Sequence, residues 1–166
     1  MRKTDWVPVL LLVLGLLTGC SRQPAQEEML RPFDCFYLQS AEQYSQTEGV
    51  LGTERVDLGS GEEDYEAIAA YYLAGPRSET LHSPFPKGLR CLGAERSGSV
   101  LYLKLSEEFS QLSGVDVTLA AACFVRTFTQ LEGVERVNLS CEGSSFSGLL
   151  AVSYSPEDFL FLDTAQ

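Results

Sequence analysis

The sequence predicts an α+β fold: a small sandwich in which one mixed or antiparallel sheet carries two helices on one face. Two patterns support this class. Apolar and polar residues alternate in several short segments, as in half-buried strands, and apolar residues recur at helical spacing in two longer segments. Along the chain these segments come in the order strand, strand, helix, strand, strand, helix, strand, which most simply builds one sheet covered by helices.

The first strands and the first helix are predicted as follows. Residues 33–38 form a compact apolar and aromatic run, and residues 50–58 form a second, weaker strand candidate. Ser60 and Glu63 fit a capping box at the start of the first helix, and Gly75-Pro76 ends it. No internal repeat interrupts this order.

The second half of the domain predicts a hairpin, a helix and a last strand. Residues 89–95 and 100–105 alternate and are joined by turn residues at 96–99, which favours a β-hairpin. Residues 115–131 return to helical spacing, and their apolar first half predicts a central helix that stops at Gly133. Residues 137–141 alternate again and form the last strand of the domain.

Residues 144–166 form a C-terminal extension. Turn residues open this segment, and an apolar run, Phe159-Leu160-Phe161-Leu162, lies near its end. We expect it to pack on its own domain as an added edge strand, because an exposed run of this kind promotes aggregation. The alternative is a docking element that joins the edge of a partner's sheet.

The N-terminal residues have the pattern of a lipoprotein signal peptide. A basic start is followed by an apolar stretch too short to span a bilayer, which needs ~20 residues. Leu17-Thr18-Gly19-Cys20 resembles a bacterial lipobox, in which the cysteine receives a diacylglyceryl group and becomes the new N-terminus after cleavage. We therefore expect residues 1–19 to be removed and Cys20 to be the lipid attachment site; a plain secretory peptide is the alternative.

Residues 20–32 are then the lipidated cysteine and a tether. The segment is polar and contains prolines, and from Ser21 onward it reaches at most ~40 Å. Several acyl chains on one residue hold a protein stably on a membrane. These features predict a domain at residues 33–143 that is anchored to the cell membrane on its extracytoplasmic face.

Charge narrows the range of partners. The chain carries 12 Lys and Arg against 23 Asp and Glu, a net charge of −11, which repels phosphate backbones and anionic headgroups. We therefore expect no nucleic-acid partner, and membrane attachment must come from lipid.

Cysteine and histidine offer little for a metal or nucleophilic site. Cys35, Cys91, Cys123 and Cys141 fall inside predicted strands or the second helix, whereas zinc ligands cluster on loops at close spacing. We expect buried free thiols; disulfides are the alternative, and four cysteines allow three connectivities. The single histidine, His82, is expected at the surface. The sequence therefore predicts no metal and no cofactor.

Acidic pairs raise one enzymatic alternative. Glycoside hydrolysis uses two carboxyl groups on either side of a sugar bond. The candidates are Glu27-Glu28, Glu62-Glu63-Asp64 and Glu107-Glu108. Helix capping accounts for the second cluster and solvation for the others, so we expect neither a peptidoglycan hydrolase nor a small-molecule substrate.

Several segments together resemble the GerMN domain family of sporulation and germination lipoproteins. They occur in the family's order and span about 110 residues, from Asp34 to Gly143. The matching segments are the end of the first helix at 72–76, the proline-bearing segment 81–88, the strand segment 100–109, and the stretches 126–131, 133–137 and 142–143. The best-known members carry two copies of the domain, and this chain has one.

The resemblance implies a fold like the ring-building motifs of sporulation and secretion assemblies, without catalytic residues. It also implies a protein partner in a sporulation envelope complex, or a homo-oligomer. We therefore expect a structural or assembly role in sporulation or spore germination. The alternative is a cell-surface module that binds cell wall or a sensor protein and has no link to sporulation.

Overall fold

The structure, a computed structural model, describes residues 31–41, 49–59, 64–143 and 152–162. The predicted strands and helices are present within these ranges, with bounds shifted by a few residues. The elements in chain order are β1 (Arg31–Gln39), β2 (Leu51–Leu58), α1 (Tyr65–Leu73), β3 (Leu81–His82), β4 (Cys91–Ser97), β5 (Val100–Leu105), a 3-10 helix (Glu107–Gln111), α2 (Val115–Phe128), β6 (Arg136–Cys141), β7 (Ser153–Tyr154) and a second 3-10 helix (Pro156–Leu162).

The α+β class is confirmed, but the strands divide into two sheets where the sequence predicted one. Sheet A is antiparallel with the order β2-β1-β3. Sheet B has the order β4-β5-β6-β7, in which β5 and β6 run parallel and the other pairs run antiparallel. Helix α2 contacts both β1 and β6, so it joins the two sheets instead of covering one face of a single sheet.

The reason for the split lies at the second edge of β1. There the N–H of Phe36 donates to Oγ1 of Thr127 at 3.0 Å, and the N–H of Asp34 donates to Oε1 of Gln130 at 3.1 Å. Nε2 of Gln130 donates back to the carbonyl of Asp34 at 2.7 Å. Side chains at and just after the end of α2 therefore take the place that a further strand would occupy beside Asp34 and Phe36, and β3 pairs with β1 only at Leu38 and Gln39.

The core is built around one buried tyrosine. The ring of Tyr72, on α1, lies 5.1 Å from the ring of Tyr37 and 5.7 Å from that of Phe124. Its hydroxyl donates to the carbonyl of Phe36, and the hydroxyl of Tyr37 donates to the carbonyl of Tyr72 at 2.9 Å. Burial raises the pKa of both tyrosines, so both hydroxyls remain donors and fix α1 on sheet A.

Helix α2 is the central helix that the sequence predicted. All side chains from Ala120 to Val125 are fully buried, so nearly its whole circumference is covered in this stretch. On sheet B, Leu101, Leu103 and Leu105 are fully buried, as their alternation predicted. The core therefore lies where α2 meets the inner faces of both sheets.

The cap of α1 differs from the prediction. Ser60 and Glu63 lie outside the described residues, and the N-cap is Asp64, whose carboxylate accepts the N–H of Ala67 at 3.0 Å. The predicted capping box is therefore corrected, because the helix begins after Asp64 and this aspartate supplies the side-chain cap to the first turn. The helix ends at Leu73, and Gly75 follows the C-cap Ala74 with φ +91°, which agrees with the predicted stop at Gly75-Pro76. No described helix is long and apolar enough to cross a membrane.

Candidate interaction surfaces

The residues that the sequence singled out for chemistry do not converge. Cys20 and the glutamates at 27, 28, 62 and 63 lie outside the described residues. His82 is exposed on β3. The carboxylate of Glu108 accepts the hydroxyl of Ser106, and this hydrogen bond lowers the pKa of Glu108. In the described parts of the chain, no three His, Cys, Asp or Glu side chains come together as a metal site requires.

The four described cysteines are free thiols. Cys35 in β1 and Cys123 in α2 are buried, and burial raises the pKa of each to about 12, which keeps both protonated and unreactive at neutral pH. Cys91 and Cys141 are half-buried and lie opposite Leu105 on its two neighbouring strands. Two strand spacings, ~10 Å, separate them, which is too far for a disulfide.

Strand β2 forms the outer edge of sheet A, and no described strand pairs with its other side. On the exposed face, Arg55 binds Asp34 of β1 through two hydrogen bonds, Nε to Oδ1 at 2.7 Å and Nη2 to Oδ2 at 2.9 Å. The hydrogen bond from Arg55 lowers the pKa of Asp34. Asp57 lies opposite Pro32, so β1 offers it no cation.

The opposite face of β2 is tied to the loop after α1. Glu54 accepts the backbone N–H of Arg77 at 2.8 Å and that of Ser78 at 2.9 Å, and Nε of Arg77 lies 3.3 Å from its other oxygen. Burial opposes ionisation of Glu54, but the hydrogen bonds from Ser78 and Arg77 outweigh it and lower its pKa. Arg77 also donates to the hydroxyl of Tyr71 at 2.8 Å. These contacts fix the position of one wall of a groove beside β2.

This groove, the β2 groove, has a volume of about 370 Å³. Val56 is buried, whereas the aromatic side chain of Tyr71 is 46% exposed. The groove therefore combines a strand edge with which no other described strand pairs and an aromatic wall, the arrangement that accepts an added strand. Its lining residues are Arg55, Val56, Asp57, Leu58, Tyr71 and Arg77.

A second surface is the outer face of sheet B. Tyr102 stands near its centre with 45% of its surface exposed. Glu95 of β4 and Asn138 of β6 flank it across the sheet, and Lys104 follows on the same strand. Polar side chains therefore surround one exposed aromatic ring on this face.

A third feature is a cleft of about 350 Å³ under the proline-bearing segment. Pro84 and Pro86 stiffen the segment, and Phe85 between them packs 4.6 Å from the ring of Phe124. The cleft therefore lies beside a segment that its prolines stiffen and that Phe85 fastens to α2. It is lined by Leu38, Ser83, Pro84, Phe85, Pro86, Gln111, Leu112, Asp116 and Leu119.

Comparison with known protein families shows which family the chain belongs to. The model of the Germane family, described as "Sporulation and spore germination", matches residues 35–146, more than half of the chain. The chain belongs to the Germane family. No curated protein matches its sequence.

Solved structures agree with the Germane assignment at the level of the fold. The tandem GerMN domains of the sporulation protein GerM from Bacillus subtilis align with a TM-score of 0.55 and 19% identity, over 76% of this chain and 45% of that one. The first GerMN domain of the same protein aligns with a TM-score of 0.52 and 14% identity, over 76% of this chain and 92% of that one. A putative lipoprotein from Clostridium perfringens aligns with a TM-score of 0.49 and 15% identity, over 78% of this chain and 89% of that one. The chain thus spans less than half of the tandem protein's structure.

The Germane match ends at residue 146, and the described part of the C-terminal extension beyond it packs on the domain. β7 pairs with β6, and Nη2 of Arg126 donates to the carbonyl of Phe159 at 3.3 Å. The buried ring of Phe159 lies 5.4 Å from that of Tyr154. The described part of this extension therefore covers part of the β6 edge and the end of α2.

Sequence reasoning missed the residues that shape the β2 groove. Glu54 and Arg77 are far apart along the chain, and nothing in their local patterns shows that they meet.

Thr127 and Gln130, which bond the edge of β1, carried a weak signal, because they are polar residues near the end of a helix that is otherwise apolar on that side. Only the contacts of the folded chain assign them to the edge of β1.

Proposed function

We propose that this Germane protein is an extracytoplasmic lipoprotein, held on the outer face of a Gram-positive membrane by acylated Cys20, that acts in sporulation or spore germination. Its role is structural: it binds other proteins of an envelope complex and catalyses no reaction. The family match over residues 35–146 is the observation that carries this proposal.

The anchor is supported by the lipobox and by the start of the fold. The first described strand begins at Arg31, so residues 21–30 connect it to Cys20. Fully extended, ten residues reach ~35 Å, which lets the domain contact partners away from the lipid surface.

A binding role is supported by the state of the nucleophilic side chains. Burial keeps the thiols of Cys35 and Cys123 protonated. His82 is exposed on a two-residue strand, whereas both of these thiols are inside the core. A Cys-His pair of the kind used in nucleophilic catalysis would need these groups in contact.

Membrane fractionation tests the anchor. Cys20→Ala should move the protein from the membrane fraction to the soluble fraction, because the substitution removes the acylated thiol. Cys91→Ala is the matched control and should remain in the membrane fraction. A Cys20→Ala protein that stays with the membrane would contradict the lipoprotein proposal.

A spore count tests the process. Deletion of the gene in its host, followed by starvation and heating, should sharply lower the number of heat-resistant spores or their germination. Wild-type protein supplied in trans should restore the count, whereas Cys20→Ala should restore it poorly. Normal spores that germinate normally would refute the sporulation and germination role.

The outer face of sheet B favours one second candidate, a cell-wall binding module. An exposed tyrosine among polar side chains suits stacking on sugar rings, and Tyr102 occupies that position. Purified peptidoglycan should then retain the wild-type protein but not Tyr102→Ala. Tyr71→Ala, which removes an equally exposed ring elsewhere, is the control. Equal retention of both variants would exclude this face.

A further inference from the structure

We propose that the free edge of β2 pairs with β2 of a second copy of this chain, antiparallel and around a twofold axis at Val56. The pairing would join two copies of sheet A into one continuous sheet. It gives the assembly role proposed above a self-association surface, and it can be tested without reference to spores.

The backbone of β2 offers the hydrogen bonds that such a pairing needs. In an antiparallel pair of strands, the backbone N–H and C=O groups of two facing residues either bond to one another or are both directed away from the partner strand. The backbone N–H groups of Asp34 and Phe36 are directed away from β2, toward Gln130 and Thr127, and the partners of these two residues across the ladder are Arg55 and Thr53. The N–H and C=O groups of Thr53 and Arg55, and by alternation those of Asp57, are therefore directed to the free edge.

Charge selects one register among those that this backbone allows. A twofold axis at Val56 places Arg55 of each copy opposite Asp57 of the other, which makes two pairs of opposite charge. Moving the axis to Arg55 would oppose two guanidinium groups. Moving it to Glu54 or Asp57 would oppose two carboxylates. Only the axis at Val56 is free of like-charge pairs among these four.

The β2 groove fits the same register. On its inner face, Glu54 would lie opposite Leu58 of the second copy. The Leu58 side chain would then approach the apolar wall that Tyr71 forms, within the volume of about 370 Å³. Arg55 would lie between Asp34 of its own chain and Asp57 of the second copy. Negative, positive and negative side chains would then follow one another across three neighbouring strands.

The proposed dimer is compatible with two anchors in one membrane. Arg31 lies opposite Leu58 in the ladder. In this register the two Arg31 residues are four residues apart along the strands and three strand spacings apart, a separation of ~20 Å. Each tether reaches ~35 Å, so both copies can attach to the same surface. Confinement to a membrane raises the effective concentration and favours a small interface of this kind.

A charge-exchange experiment tests the pairing in the full-length protein. Two differently tagged copies are produced in the same cells, extracted in mild detergent and captured through one tag. Wild-type copies should capture each other. Asp57→Arg or Arg55→Asp in both copies should lower capture about tenfold or more, because like charges then face each other. One copy with Asp57→Arg and the other with Arg55→Asp should restore capture to within about twofold of wild type.

The mixed pair also controls for folding, because misfolded variants would not regain association when combined. Glu142→Arg, which makes the same charge change in the exposed turn after β6, should leave capture unchanged. Wild-type capture that persists in Asp57→Arg would overturn the proposal, and so would a mixed pair that fails to associate. A wild-type protein that never self-associates would overturn it as well, and would identify Arg55 and Asp57 as charges that protect the edge from pairing. None of these outcomes bears on the spore count, so either proposal can fail alone.

Discussion

Replacing Thr127 by valine tests whether side chains of α2 close the edge of β1. Oγ1 of Thr127 accepts the N–H of Phe36 at 3.0 Å, and Thr127 is fully buried. Valine has nearly the same shape but no oxygen. The substitution would therefore leave the N–H of Phe36 inside the protein without its acceptor.

The expected loss at Phe36 follows from two opposing contributions, and the hydrogen bond between the side chains of Thr127 and Tyr72 is lost as well. A buried donor without a partner costs ~1–3 kcal/mol. The added methyl group recovers up to ~0.8 kcal/mol through apolar burial. Taking ~2 kcal/mol, the middle of the range for the buried donor, the free energy of unfolding should fall by about 1–2 kcal/mol, which lowers the Tm of a domain of this size by roughly 2–8 °C.

Two measurements should be made on Thr127→Val. Thermal unfolding followed by circular dichroism gives the change in Tm. Amide hydrogen exchange gives a local signal: the N–H of Phe36 should exchange faster than in wild type, whereas the N–H of Cys35, which is directed to β2, should change much less. Thr118→Val is the matched control, because its Oγ1 lies 3.5 Å from the carbonyl of Gly114 in the first turn of the same helix.

A Thr127→Val protein that is as stable as Thr118→Val would refute this reasoning. Unchanged exchange at Phe36 would refute it independently. Either result would mean that water or another group satisfies the edge of β1.

Two further predictions concern ionisable groups. Glu54→Gln should destabilise the protein at pH 7, and the difference from wild type should shrink as the pH falls below 4.5. A carboxylate with a lowered pKa stabilises the fold above its ordinary pKa of 4.5 and loses that contribution as it is protonated. Urea unfolding at several pH values measures the difference, and a difference that does not depend on pH would contradict the prediction. Cys35 and Cys123 should resist iodoacetamide at pH 8 in the folded protein, since burial raises the pKa of each to about 12. Mass spectrometry of the labelled peptides checks this, with urea-unfolded protein as the control; rapid native labelling of Cys35 would contradict the burial described for β1.

Local elements could be predicted from the sequence because their patterns depend on near neighbours. The alternation in β5 placed Leu101, Leu103 and Leu105 in the core, where they are fully buried. The apolar first half of α2 marked a helix surrounded by protein. The turn at Gly98 joined β4 to β5 as expected, with the positive φ of +62° that favours glycine.

The arrangement of the sheets could not be predicted in the same way. Whether a full-length strand pairs with the second edge of β1 depends on Thr127 and Gln130. These residues are about ninety positions away and look like ordinary polar residues near the end of a helix. The free edge of β2 is likewise defined by what lies beside it in space. The cap of α1 was misplaced because both Ser60 and Asp64 are good capping residues, and sequence alone does not rank them.

The closure of β1 by a distant helix also sets an order of events during folding. β1 and β2 pair over short sequence separations and are made early in synthesis, whereas the contacts from Phe36 to Thr127 and from Asp34 to Gln130 span 91 and 96 residues. Long-range contacts of this kind form slowly, because the intervening chain must close a large loop first. Until α2 is complete, the nascent chain carries a strand pair with both edges open, which is the state most prone to pairing with other chains. Docking of α2 covers the β1 edge only, so exposure of that edge is confined to the interval before α2 is synthesised and docks.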